Sequence, residues 1–236
     1  FDLESLRMLF NLKIYDIKIP SGEINNYILL KNIAKKAKKI FLSTGMATMN
    51  EIKQALQVLT LNGASMKRIT VLHCHTDYPS NLYDINLLAM DKIKKTFKKI
   101  DVGYSDHTLG NETAIAAVAL GAKVIEKHIT LNKKLPGPDH KASLTPDEFK
   151  NYIKSINNTI ELLGTNKKAP SLIEIKNKKL VRKSIVAKKF IKKGQKFSEN
   201  NITCKRPEGG LSPMKWKILI GKKSKKNFKE DEFIYL

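Results

Sequence analysis

The chain has little cysteine, very little arginine and no long apolar run, and each scarcity excludes something. Its two cysteines, Cys74 and Cys204, supply neither a disulfide framework nor a zinc motif, so a reducing, cytoplasmic setting is expected. No stretch nears the roughly 20 apolar residues that a helical membrane span requires, and no basic–apolar–small leader pattern stands at the start, so no membrane partner is expected. Arginine is confined to Arg7, Arg68, Arg182 and Arg206, which makes 40 of the 44 basic residues lysine. Readers of nucleic acid rely on guanidinium forks interleaved with aromatics, and neither is present. A nucleic-acid partner is therefore not expected, despite a formal net charge of +22. The lysines suit solvated helix faces, and their summed field attracts small anions such as phosphates.

Short apolar runs recur at Ile14–Ile19, Ile40–Thr44, Ile69–Cys74, Ile100–Ser105 and Val124–Thr130. They are separated by roughly the length of one βα unit. Between them lies helical patterning. Ile52, Ala55, Leu56 and Leu59 form one stripe behind a Thr48…Glu51 capping box, Asn111–Leu120 is rich in small apolar residues, and Thr145-Pro146-Asp147-Glu148 opens a helix that stops before Gly164. Alternating strands and helices predict an α/β fold with a parallel sheet. A (β/α)8 TIM barrel needs eight strands and about 250 residues. The expectation is such a barrel with strands 4–8 present and the first three βα units missing, and an open five-stranded sheet is the alternative. Residues 1–165 would be the barrel part and 166–180, rich in Lys, Asn, Pro and Ser, a linker. Residues 181–236 would be a small β-rich domain with strands near Ser184–Val186 and Asn201–Cys204, followed by Ile218–Ile220 and Phe233–Leu236.

Two strands end alike, in Val102-Gly103-Tyr104-Ser105-Asp106-His107-Thr108 and in Val124-Ile125-Glu126-Lys127-His128-Ile129-Thr130. The C-terminal ends of parallel barrel strands build active sites, so His107 and His128 are candidates to share one divalent metal or one substrate. By alternation Ser105 shares a face with His107, and Glu126 with His128. His73-Cys74-His75 is not a metal triplet by the same rule, which sends Cys74 to the opposite face. That leaves His73 packed and Thr76 and Tyr78 reaching a ligand. Lys18 and Ser21, with Gly22 between Ser21 and Glu23, could present an ammonium and a hydroxyl to a phosphate. Asp139 sits in the rigid Pro136-Gly137-Pro138 loop, placed to accept from substrate hydroxyls.

Taken in order, KIPSGE at 18–23, LSTGMA at 42–47, LHC…YP at 72–79, GYSDHT at 103–108, EKHIT at 126–130 and PGPDHKASL at 136–144 resemble the sialic acid synthase family. RKSIVA at 182–187, IKKG at 191–194 and KRPEGG at 205–210 resemble the antifreeze-like (SAF) domain that follows the barrel in those enzymes. The resemblance covers nearly the whole chain. It implies condensation of phosphoenolpyruvate with an N-acylated amino sugar, N-acetylmannosamine, to N-acetylneuraminate and phosphate. An N,N'-diacetyllegionaminate synthase acting on a diacetamido sugar is the alternative.

By resemblance, Lys18, Ser21 and Ser105 hold phosphoenolpyruvate, and His107 and His128 bind manganese or magnesium. Glu23 moves a proton, while Tyr78 and Asp139 meet the sugar. Arg206 reaches the site of the other subunit in a domain-exchanged homodimer. Thr76 stands where some family members have asparagine. Substrate contacts that the family draws from strands one to three have no counterpart in this stretch, so the stretch alone is expected to be an unclosed, inactive barrel. A metal-dependent barrel aldolase is a second enzyme class, disfavoured by KRPEGG, and a lysine-rich polyanion-binding protein on a degenerate barrel is the non-enzymatic alternative.

Overall fold

The computed structural model describes residues 1–235. They form two compact units, the first Phe1–Thr165 and the second starting at Asn166. In the first unit β1 (Asp16–Ile19), β2 (Lys39–Ser43), β3 (Ile69–Cys74), β4 (Asp101–Asp106) and β5 (Ile125–Lys127) lie side by side in chain order, all parallel. The helices α2 (Tyr27–Lys36), α3 (Met49–Leu61), α4 (Leu88–Thr96) and α5 (Glu112–Ala119) make the crossovers. Helix α1 (Leu3–Asn11) precedes β1, and α6 (Pro146–Leu163) follows β5.

One face of this sheet is the core. Ile17, Ile19, Ile40, Leu42, Ile69, Val71, Val102 and Tyr104 pack with Leu30, Ile33, Ile52, Leu59 and Ile93 of the helices. Alternation sends Lys18, Ser43, Cys74, Ser105 and Glu126 to the opposite, inner face. At Gly103 a Cβ would stand 2.4 Å from the Val124 carbonyl oxygen and 2.6 Å from Leu72 Cδ2. Only glycine lets the start of β5 approach β4 this closely. The run from Val124 to Thr130 is a shorter strand than its composition suggests. Pairing with β4 ends at Asp106↔Lys127, so His107 and His128 each stand one residue beyond a paired position.

The helix starts follow the sequence. Thr48 and Glu51 make the reciprocal capping box, with Thr48 N–H donating to Glu51 at 2.7 Å and Glu51 N–H donating to Thr48 at 3.3 Å. At α6, Glu148 accepts from the Thr145 N–H at 2.8 Å and from Lys133 Nζ at 2.7 Å. The Lys133 bond, and then the Thr145 N–H, hold the Glu148 carboxyl down at about 2. A pKa below the unfolded value means that this stabilisation is present above about pH 4.5 and is lost as pH falls through about 2. Because Glu148 is well exposed, Glu148→Gln is expected to cost no more than about 1 kcal/mol near neutrality. Denaturant midpoints measured from pH 7 to pH 2 should show the gap to wild type closing toward pH 2. A pH-independent gap would contradict the assignment.

The second unit is built on α7 (Leu172–Val181), the antiparallel pair β6 (Ser184–Ala187) and β7 (Ile202–Lys205), and the single turn α8 (Trp216–Leu219). Its own core comprises Ile185, Ala187, Ile191, Phe197, Ile202, Leu219, Phe228 and Ile234. Two sequence expectations are corrected here. Most of the stretch read as linker is helix α7, capped by Ser171 and Glu174. Ile218 and Leu219 lie in a helical turn rather than a strand. Phe233 forms only an isolated bridge with Val186, and Leu236, the last residue of the Phe233–Leu236 run, lies outside the described residues. Among the described residues no helix is long and apolar enough to cross a membrane.

Candidate functional site

At the C-terminal end of the sheet the two histidines meet. The rings of His107 and His128 are 5.3 Å apart, nearly perpendicular. The Tyr78 ring lies 4.1 Å from His107 and 5.5 Å from His128, and Asp139 Oδ2 stands 3.9 Å from His128 Nδ1. Four of the residues singled out from sequence thus converge from three loops. His107 Nδ1 is 2.7 Å from the His75 carbonyl oxygen. A carbonyl only accepts, so Nδ1 carries the proton and Nε2 keeps its lone pair. Burial pushes the His107 pKa down, and His128 nearby adds to this, while the His75 carbonyl opposes it. The ring is thereby favoured in its neutral form. His73 is packed as expected, its Nε2 2.7 Å from the Ile85 carbonyl oxygen.

On the inner face a second group forms around a residue that the sequence reading placed there but gave no role. Glu126 Oε1 accepts from Ser105 Oγ at 2.6 Å and pairs with Lys18 Nζ at 3.1 Å. Glu126 thus ties β1 to β4 across the sheet, holding Lys18 and Ser105 toward one spot. A third group lies at the ends of β1, β2 and β3. The Gly45 N–H donates to Ser21 Oγ at 2.9 Å and to Cys74 Sγ at 3.1 Å, and the Ser21 and Cys74 side chains are 3.2 Å apart. A Cβ on Gly45 would fall 2.1 Å from Thr76 Oγ1, so Thr76 belongs to this cluster as well. Ser43 Oγ, buried on the same inner face, has no hydrogen-bond partner, which is an unmet demand that an oxyanion would satisfy. The Glu23 carboxylate accepts from Asn26 Nδ2 at 2.7 Å beside the start of α2. Arg206 is an exposed residue of the second unit.

Behind the histidines, on the helix side, lies a buried ion pair that sequence reasoning missed. Lys127 Nζ is 3.2 Å from Asp106 Oδ2, with side chains 1% and 0% exposed. Tyr152 Oη of α6 donates to the same oxygen at 2.7 Å, and Thr108 donates to Asp106 Oδ1 through N–H at 2.9 Å and Oγ1 at 2.7 Å. Burial pushes the Lys127 pKa down, and Asp106 opposes it. Burial, and then Asp106, push Tyr152 upward, so it stays a donor.

Two family profiles account for the chain. That of the NeuB family matches residues 1–168, and that of the SAF domain matches residues 182–236. The chain belongs to the NeuB family. It is 54% identical over 234 residues to the N,N'-diacetyllegionaminic acid synthase of Campylobacter jejuni, spanning 99% of this chain and 70% of that protein. It is 35% identical to the human N-acetylneuraminate-9-phosphate synthase, over 99% of this chain and 64% of that one. A crystal structure of the N-acetylneuraminic acid synthetase of Leptospira borgpetersenii, in complex with citrate, matches 75% of this chain and 61% of its own at 33% identity, with a TM-score of 0.68. NeuB-family membership thus joins the chain to sialic-acid-type synthases, with an SAF domain after the α/β unit.

Proposed function

We propose that this NeuB-family chain carries the active face of a synthase that condenses phosphoenolpyruvate with an N-acylated amino sugar, its five strands forming an arc of a (β/α)8 barrel. The observation that carries the proposal is the convergence, at one end of one sheet, of an anion-binding half (Lys18, Ser21, Thr76, Ser105, with Ser43 and Gly45) and a half bearing Tyr78, His107, His128 and Asp139. The sites of such synthases must accept a phosphate and a sugar carbonyl side by side. The 54% identity to a legionaminic acid synthase, against 35% to the human sialic acid enzyme, supports a diacetamido sugar over N-acetylmannosamine.

The residues present fit a divalent cation, manganese or magnesium. His107 has a free Nε2 lone pair beside the His128 ring, its imidazole oriented by the His75 carbonyl, and Asp139 stands near His128. Among the described residues no group of three His, Cys, Asp or Glu side chains could hold a metal, so the remaining positions would go to water and substrate oxygens. Such a cation would supply Lewis-acid polarisation of the sugar aldehyde.

The chain's own groups do the rest. Lys18, released in part from Glu126, offsets the phosphate charge, and Ser21, Ser105 and the Gly45 N–H donate to phosphate or carboxylate oxygens. Tyr78 and Asp139 orient the sugar for attack by C3 of phosphoenolpyruvate. Glu23, held by Asn26, moves the proton of the water that adds at C2, and C–O cleavage then releases phosphate. A second copy of the chain would bring Arg206 to the sugar in a homodimer.

The test is phosphate release by the intact polypeptide from phosphoenolpyruvate with each amino sugar, with and without manganese. Release with the diacetamido sugar, lost on chelation, is the expected result. Release with neither sugar would overturn the proposal.

A further inference from the structure

The buried ion pair has no place in the reaction as outlined, yet it lies directly behind both histidines. Asp106 and Lys127 are register partners at the last paired position of β4 and β5. Side chains alternate across a strand, so each points to the helix side while its neighbour, His107 or His128, points to the active face. The bonds that Asp106 accepts come from three different parts of the scaffold. Lys127 brings in β5, Tyr152 brings in α6, and the Thr108 N–H and hydroxyl close the turn around His107. Thr108 Oγ1 lies 3.0 Å from Thr113 Oγ1 of α5, and Lys127 also donates to the Thr108 carbonyl. The peptide unit that follows His107 is therefore tied to Asp106 through the Thr108 N–H, and Lys127, the residue before His128, is tied to the same carboxylate.

A buried ion pair is a poor source of stability, since desolvation takes back most of the Coulomb gain and an apolar pair of like volume does as well or better. What it supplies is direction and register. We propose that Asp106, Lys127, Thr108 and Tyr152 form a brace that sets the spacing and ring orientation of His107 and His128, which makes Tyr152, on a helix and remote in sequence, a positioning residue of the metal site. This rests on the reading of the two histidines as metal ligands.

Tyr152→Phe removes one hydrogen bond and keeps the ring, so it separates positioning from packing. In the metal-free protein the imidazole NMR signals of His107 and His128 should shift or broaden, while those of His73 stay in place. Manganese affinity, titrated on the intact protein by the resonance of free Mn2+, should fall by about 10-fold, within the range typical of lost outer-shell partners. Turnover at saturating manganese should fall with little change in the KM for phosphoenolpyruvate. If Tyr152→Phe does not fold, Thr108→Val removes a different bond to the same carboxylate and carries the same expectations.

Unchanged histidine signals with wild-type manganese affinity, in a variant that is merely less stable, would overturn the brace. A wild-type protein that binds no manganese would overturn the ligand reading and the brace together. Manganese binding that His107→Ala removes and Tyr152→Phe leaves intact would overturn the brace alone.

Discussion

A Lys127→Met variant is expected to lose about 3–5 kcal/mol of unfolding free energy, the cost of removing one partner of a buried ion pair. The methionine fills much the same volume, so the loss is electrostatic. Asp106 is 0% exposed and would keep only the donors from Thr108 and Tyr152, with no cation beside it. A loss of this size is a large share of the 5–15 kcal/mol that typically holds a domain together. Urea unfolding followed by far-UV circular dichroism measures it directly. Replacing the whole group by apolar residues, as Asp106→Leu/Lys127→Met/Tyr152→Phe, should recover much of the loss, because no uncompensated charge is then buried. A loss below about 1 kcal/mol in Lys127→Met would show that the pair is solvated in solution.

The second large effect is on chemistry. His107→Ala is expected to reduce phosphate release by more than about 100-fold, beyond the range typical of outer-shell changes, because it removes a ligand and not merely a support. The variant should keep its far-UV spectrum, since the ring's one hydrogen bond is to a loop carbonyl, that of His75. His73→Ala is the control. His73 packs between β3 and the Ile85 carbonyl on the helix side, so its loss should lower stability and leave manganese affinity unchanged. Turnover near wild type in His107→Ala would remove the metal-ligand role.

The strands and the side chains of the inner face were legible in the sequence because a strand has a period of two. Runs such as Ile40–Thr44 and Ile100–Ser105 announce themselves, each within a residue of the strand observed, and the same alternation pairs Ser105 with His107 and Glu126 with His128. Capping chemistry was equally plain at Thr48 and Thr145. The brace was not. In a chain with 40 lysines the default for Lys127 is a solvated ammonium, and nothing local to Glu126-Lys127-His128 reveals that a tyrosine on a later helix will cover it. Glu126 was placed correctly but its role was hidden, because its partners Lys18 and Ser105 lie 108 and 21 residues away. The Ile218–Ile220 run is too short for periodicity to separate a turn of helix from a strand. Helix α7 was obscured by its three lysines and its asparagine, although Ser171 and Glu174 carried the signal.

The division of the site among strands has a consequence for how such enzymes diversify. Ser21, Gly45, Cys74 and Thr76 stand at the ends of β1 to β3, whereas His107, His128 and Asp139 follow β4 and β5. The bridge that Glu126 makes between Lys18 and Ser105 joins the two sides. On the proposed reading, changes in the loops after β4 and β5 would alter the sugar contact of Asp139 and leave Ser21, Gly45 and Thr76 at the ends of β1 to β3 in place.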